Sequence, residues 1–275
     1  NSNNPFFTSL DLYFRFFPLL YSLLLGSSAY ILGKKISGSF SGGIWATFFT
    51  YFAGSFGYIV TLLKDGTVGG ESIFWATQIQ SSIGNPPQII SNFILLASLY
   101  LFLIFLKKRD LILSLLLIVL VGTLVEFKVY AAVVLIASLG LVGLVQLIKE
   151  RNFLILVLTL LSGLLAAAIY FPNTREVSGF LILQPWWFIR TMVVEPSRLN
   201  WIDLELRRQH YLALGTWKGY LRFLQVELTG LLIFFIGNSG TRFIGISEFI
   251  KRLKSSLKNY FDLLFLLIIV VSFIL

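Results

Sequence analysis

The sequence predicts an all-α, polytopic transmembrane helical bundle with about eight spans. Composition is the first observation, since the 275 residues are 57% hydrophobic and have a mean hydropathy of +0.85. The second is the arrangement of these residues in long apolar runs, most of them near the roughly 17 to 25 residues that a helix needs to cross a bilayer. The third is the alternation of short basic turns with longer, aromatic-rich loops. An isolated strand would leave backbone groups unpaired in lipid, so each run is predicted to be a helix.

The apolar runs place the predicted spans at 16–33, 43–63, 88–106, 111–125, 129–148, 153–171, 222–246 and 261–275. The fourth is short, and the sequence GNSGT at 237–241 interrupts the seventh. No repeat of fixed period is visible, so 1–275 is predicted to form a single transmembrane domain. Because the chain opens on Asn1 rather than Met and stops inside an apolar run at Leu275, we expect a fragment of a longer chain.

The basic residues predict the orientation of these spans. Short loops rich in Lys and Arg stay on the cytoplasmic side. Such clusters lie at 34–35, 107–109, 149–151 and 251–258, whereas the short turns between them carry only Lys64 and Lys128. This alternation predicts that 64–87 and 172–220 are extracytoplasmic loops.

Charge and residue usage exclude several classes of function. The net charge of +9 is spread over the turns without one basic face, which indicates membrane lipid headgroups rather than nucleic acid as the partner. The absence of cysteine excludes disulfides and thiol catalysis in this stretch, and a single histidine disfavours an imidazole metal site. No nucleotide-binding or hydrolase motif is present. We therefore expect no cofactor, and a divalent cation would need carboxylate and phosphate oxygens.

The first extracytoplasmic loop contains an amphipathic pattern. Ile73, Ala76, Ile79 and Ile83 fall close to one helical stripe, and the sequence GNPP at 84–87 closes the segment. This pattern predicts a helix in the membrane interface. Such a helix either holds the loop against the membrane interface or forms a lid over an intramembrane groove.

Charged residues near predicted span ends are candidate site residues. A Glu126–Lys128 pair at the interface is explained by a solvated turn. If the turn dips below the headgroups, Lys128 is a candidate phosphate ligand and Tyr130 a candidate ligand of a sugar hydroxyl. Glu227 and Arg242 are open to the same two interpretations, a binding role or none. The simpler explanation is that their side chains extend from helix ends to the membrane interface.

The loop at 172–220 has the densest set of aromatic and basic residues. Its Trp and Tyr residues are typical of interfacial anchors, but sugars also stack on such rings while arginines hold phosphate. The candidate phosphate contacts in this loop are Arg190, Arg198, Arg207, Arg208 and His210.

Several segments over 11–150 resemble polytopic membrane glycosyltransferases of the GT-C superfamily, in particular uncharacterised bacterial members. RFFPLL at 15–20 opens a span that ends in YILGKK at 30–35, and GSFGY at 54–58, NPP at 85–87 and FKVYAA at 127–132 follow. The likeness is one of arrangement, since none of these segments is a catalytic signature.

The resemblance implies transfer of a sugar from a polyprenyl-phosphate donor at the outer face of a bacterial plasma membrane. It also implies an acidic residue in the first outer loop as catalytic base. Asp11 does not match that motif, so we expect the catalytic aspartate upstream of Asn1.

Two other classes of protein fit the same sequence. In a transporter or lipid flippase, Glu126, Glu227, Arg242 and the interrupted seventh span would form a pathway near the midplane. A noncatalytic relative would have the same fold without transferase activity and would serve a role in assembly. Inverted repeats would favour the transporter, and none is visible.

Overall fold

In the computed structural model, the described residues are 8–70, 73–74, 84–174, 186–255 and 259–274. Within these ranges the secondary structure is helical, with no strand. The all-α prediction is therefore confirmed.

Helices account for most of the described chain. In chain order they are α1 (Ser9–Ser37, with a wide π-type turn at Leu12–Phe16), α2 (Phe40–Phe52), α3 (Gly57–Asp65), α4 (Pro86–Lys108), α5 (Leu111–Phe127), α6 (Val129–Glu150), α7 (Leu154–Thr174), α8 (Trp187–Val194), α9 (Ile202–Ala213), α10 (Trp217–Ser239), a 3-10 turn (Gly240–Gly245), α11 (Ile246–Ser255) and α12 (Tyr260–Ile274). Their ends follow known rules: Pro86 and Pro87 occupy the first turn of α4, and the Asp110 side chain caps α5 by accepting from the Ile112 amide.

Each of the eight apolar runs is mostly helical over its described residues, but the helices do not all have the length of a span. Over the described residues, five helices are long and apolar enough to cross a membrane: Ser9–Ser37, Pro86–Lys108, Val129–Glu150, Leu154–Thr174 and Trp217–Leu253. A sixth is reached if α2 and α3, bent by 41° at 53–56, form one broken span. The apolar helices α5 and α12 are shorter. The described residues thus form a multi-helical membrane protein with five or six candidate spans. The predicted number of eight spans is not confirmed.

By their internal contacts, the helices separate into two compact units. The first comprises Asn1–Tyr51, Gln80–Leu183 and Ser247–Leu275, and the second comprises Phe52–Ile79 and Gln184–Ile246.

In the first unit, α4 to α7 and α12 form the core, and α1 packs against α4. Phe102, Phe105, Leu117, Leu135 and Ile155 are among its fully buried side chains. Small residues allow close helix approach, as is common in membrane bundles. A Cβ at Gly143, for example, would lie 2.9 Å from the Leu156 side chain.

Polar contacts mark the two ends of this first unit. At one end, Glu150 accepts from Tyr260 Oη at 2.7 Å and lies 3.8 Å from Arg109. At the other end of α4 and α6, Tyr130 Oη donates to Gln88 Oε1 at 2.7 Å. Residues from the basic turns after α4 and α6 therefore meet at one end of the unit.

The second unit is built on a smaller core. Its buried residues are Ile73, Phe74, Ile189, Met192, Val193, Leu199 and Leu204. Ile73 and Phe74 are 5% and 3% exposed, so this part of the first predicted outer loop is packed against protein. Most of the amphipathic helix predicted at 73–83, including Ala76, Ile79 and Ile83, lies outside the described residues.

Candidate functional site

A partly buried ion-pair cluster lies where α8, α9 and α10 meet in the second unit. Arg208 on α9 donates from Nε and Nη2 to both carboxylate oxygens of Glu205, at 2.7 and 2.8 Å. Its Nη1 donates to Glu227 Oε1 on α10 at 3.3 Å. Glu205 and Arg208 are one helical turn apart on α9, so this bidentate pair can form within the helix itself. The contact with Glu227 needs the packing of α9 on α10.

The electrostatics of this cluster follow from its pairing. The hydrogen bonds from Arg208 lower the pKa of the Glu205 carboxyl, and the charge of Arg190 adds to that effect. The same Glu205 bonds raise the pKa of the Arg208 guanidinium against the opposing effect of burial. Glu227 is 7% exposed and sits inside an apolar helix, where an unpaired carboxylate would be costly. Arg208 therefore compensates a buried charge.

A narrow crevice borders the cluster. It is lined by Ile189, Arg190, Val193, Leu204, Glu205, Arg208, Val226, Glu227 and Gly230, and its volume is about 10 Å³. That is the space of about one water molecule. Two guanidinium groups and two carboxylates thus share one crevice, and a larger ligand would meet them only at its opening.

Arg198 and Lys64 tie the segment at 195–201 to the rest of the second unit. Arg198 Nη1 donates to the Ile73 carbonyl at 2.9 Å, and Lys64 Nζ donates to the Leu199 carbonyl at 2.8 Å. Partial burial lowers the pKa of the Arg198 guanidinium. Residues from both predicted extracytoplasmic loops therefore contact each other.

The remaining basic candidates of this loop lie on the surface. Arg207 and His210 on α9 are exposed. The His210 and Tyr211 ring centroids are 5.7 Å apart, and the Arg222 guanidinium lies 5.7 Å from the Tyr211 ring. Arg207 and Arg208 thus have different surroundings although they are neighbours, because the face of α9 that carries Leu204 and Arg208 packs inward.

Lys128 and Tyr130 belong to the first unit. Lys128 joins α5 to α6 in an extended conformation, and its ammonium lies 6.0 Å from the Tyr130 ring centroid. Nearby, Asn173 donates to Glu126 Oε2 at 3.3 Å. The role of Lys128 as a phosphate ligand stays a prediction.

The break after α10 has a defined environment in the second unit. The Phe56 amide donates to the Gly237 carbonyl at 2.9 Å, and the Thr241 amide donates to the Gly54 carbonyl at 3.2 Å. A Cβ at Gly240, whose φ is +48°, would overlap the Gly54 carbonyl. The break between α2 and α3 therefore hydrogen-bonds to the last turn of α10 and to the break that follows it.

Sequence reasoning missed two participants. Glu205 is not among the predicted site residues, although its position three residues before Arg208 is a signal for pairing. Lys64 was used only to assign topology. No sequence signal pointed to its contact with Leu199, which lies 135 positions away.

Among the described residues, no group of three or more His, Cys, Asp or Glu side chains is placed to hold a metal ion. No protein-family model, curated protein or solved structure matches the chain.

Proposed function

We propose that this chain is the membrane region of a GT-C-type glycosyltransferase that transfers a sugar from a polyprenyl-phosphate donor at the outer face of a bacterial plasma membrane. In this proposal the short helices α5 and α12 also cross, giving eight spans. Lys128, Tyr130, Arg190, Arg198, Arg207, Arg208 and His210 remain the candidate contacts of the donor.

The observation that carries the proposal is the crevice shared by Arg190 and Arg208. Departure of a lipid phosphate develops negative charge, and preorganised guanidinium groups stabilise such charge. Glu205 and Glu227 fix Arg208 in one orientation. In this scheme Arg208 presents its charge at the opening of the crevice in a fixed orientation, while Arg190 at the crevice and Arg207 on the exposed surface also reach the phosphate.

The test uses the full-length protein in proteoliposomes, with a radiolabelled polyprenyl-phosphate sugar and membrane acceptors. We expect transfer, and we expect Arg190→Gln to raise KM for the donor about tenfold, the effect of losing one charge-assisted hydrogen bond. Lys218→Gln, which removes an exposed positive charge from α10, is the matched control. Absence of transfer by correctly inserted protein rejects the proposal. An unchanged KM rejects the role of Arg190.

The second candidate is a transporter. The paired breaks at 53–56 and 240–245 favour it, because discontinuous helices frame substrate sites in many transporters. Glu227 lies in α10, before the second break, and Arg242 lies within that break, where its Nη1 donates to the Asn238 carbonyl at 3.4 Å. Counterflow in the same proteoliposomes, with the sugar phosphate or the lipid donor as cargo, separates this function from transfer, because transport leaves the glycosidic bond intact.

A further inference from the structure

A second cavity in the second unit lies apart from the arginine cluster. It is a groove of about 430 Å³ lined by Val60, Leu63, Lys64, Leu199, Asn200, Trp201 and Ile233. This volume falls within the roughly 300 to 1,000 Å³ of ordinary small-molecule pockets. Valine, leucine and isoleucine side chains form most of its wall, and Lys64 is the one charged side chain among the described residues that line it.

The polar and apolar ends of the groove are ordered along α3. Lys64 lies in the last turn of α3, at the end of the broken candidate span. Val60 lies four residues earlier, which places its Cα about 6 Å deeper along the helix. Ile233 comes from the interior of the apolar helix α10. The groove therefore offers an ammonium at a span end and hydrocarbon walls beyond it.

Lys64 has donor capacity left for a ligand. An ammonium has three hydrogens. One of them is donated to the Leu199 carbonyl at 2.8 Å, which fixes the side chain at the groove. Trp201, 44% exposed, adds an amphipathic ring of the kind that sits at headgroup depth.

We infer that this groove is a binding site for an anionic phospholipid, with one acyl chain between Val60, Leu63 and Ile233 and the headgroup phosphate at Lys64. The assignment rests on charge complementarity between a lone cation and a phosphate, on the volume, and on the polar-to-apolar order of the lining. It does not depend on the proposed transfer reaction. A polyprenyl phosphate also combines a phosphate with a hydrocarbon chain, so the experiment tests it separately as a competitor.

The experiment measures fluorescence quenching of Trp201 in the full-length protein purified in detergent. Brominated phosphatidylglycerol is the probe, brominated phosphatidylcholine is the zwitterionic comparison, and the difference between the protein and its Trp201→Phe variant isolates Trp201. We expect saturable quenching by phosphatidylglycerol. Lys64→Gln should raise the half-saturating concentration about tenfold, the effect of one charge-assisted hydrogen bond, while Lys64→Arg should leave it within about threefold.

The matched control is Lys107→Gln, which removes a lysine from the last turn of α4, another apolar helix. Circular dichroism and the unfolding midpoint verify that each variant is folded. Native mass spectrometry provides a second readout, in which Ile233→Phe, by filling the groove, should reduce retention of one phosphatidylglycerol. Equal quenching by both brominated lipids identifies bulk lipid contact and overturns the inference. Displacement by polyprenyl phosphate at concentrations below those of phosphatidylglycerol also overturns it, and assigns the groove to a lipid donor.

Discussion

The Tyr260 hydroxyl donates a 2.7 Å hydrogen bond to the Glu150 carboxylate, joining the start of α12 to the end of α6 across 110 residues of sequence. Arg109, after α4, lies 3.8 Å from the same carboxylate. Three predicted cytoplasmic connections thus contribute to one polar cluster at one end of the first unit. A chain that crosses a membrane in consecutive helices returns to the same side after every two crossings. A meeting of these three connections is therefore expected of a multi-pass protein.

The first prediction concerns orientation. In the full-length protein, single cysteines at Ser37 and Asn173 should react with an impermeant maleimide from opposite sides of an intact membrane. Both positions are exposed, and this stretch contains no native cysteine. A cysteine at Lys108 is the control and should behave like Ser37. Labelling of Ser37 and Asn173 from the same side would contradict the alternating topology.

The second prediction concerns the buried cluster. Arg208→Ala should reduce the free energy of unfolding by about 3 kcal/mol, because it leaves the carboxylate of Glu227 buried without its partner. Arg207→Ala is the matched control and should change it by less than about 0.5 kcal/mol, since Arg207 is exposed. Denaturant unfolding in one detergent measures both. Equal losses in the two variants would show that the pairing with Glu227 has no net effect on stability.

The third prediction concerns pH. The pKa of Glu205 is lowered in the folded protein, chiefly by hydrogen bonds from Arg208, so folding favours its ionised form. Its contribution to stability is fully present above the unfolded carboxyl pKa of about 4.3 and is lost as pH falls through the lower folded value. The unfolding midpoint should therefore fall on acidification more steeply in the unmodified protein than in Glu205→Gln. Parallel pH profiles would refute this linkage.

The fourth prediction concerns the last turn of α10. A Cβ at Gly237 would overlap the ring of Phe74, which is 3% exposed and cannot move without disturbing the second core. Gly237→Ala should lower the free energy of unfolding by about 1 to 3 kcal/mol, the usual cost of overpacking. At Gly245 a Cβ would meet no atom within 4 Å, so Gly245→Ala is the control. Denaturant titration of both variants is the measurement, and a neutral Gly237→Ala would exclude close packing at this glycine.

The fifth prediction concerns the contact between Tyr130 and Gln88. Tyr130→Phe removes one hydrogen bond at a half-exposed position and should cost about 0.5 to 1.5 kcal/mol of stability. If Tyr130 also binds a sugar hydroxyl, the same variant should raise KM for the donor in the transfer assay. Tyr58→Phe, which changes another exposed tyrosine, should alter neither quantity. A stability loss without a KM change would leave Tyr130 with a purely structural role.

The sequence by itself determined the helical class, the positions of the apolar helices and the interruption near Gly237. These features follow from local rules, because lipid requires each backbone group to be paired within its own segment and because Gly and Pro limit helices wherever they occur. The same rules do not fix how many helices cross, since α5 and α12 are apolar but short and α2 and α3 are bent at 53–56.

Only the tertiary structure decided which charged residues act together. Arg207 and Arg208 look equivalent in sequence, but packing of α9 on α10 turns Arg208 toward Glu227 and leaves Arg207 exposed. Likewise, Lys64 meets the Leu199 carbonyl only because the second unit folds distant segments together. Such contacts depend on the rotation and packing of whole helices, and the spacing of residues along one helix does not encode them.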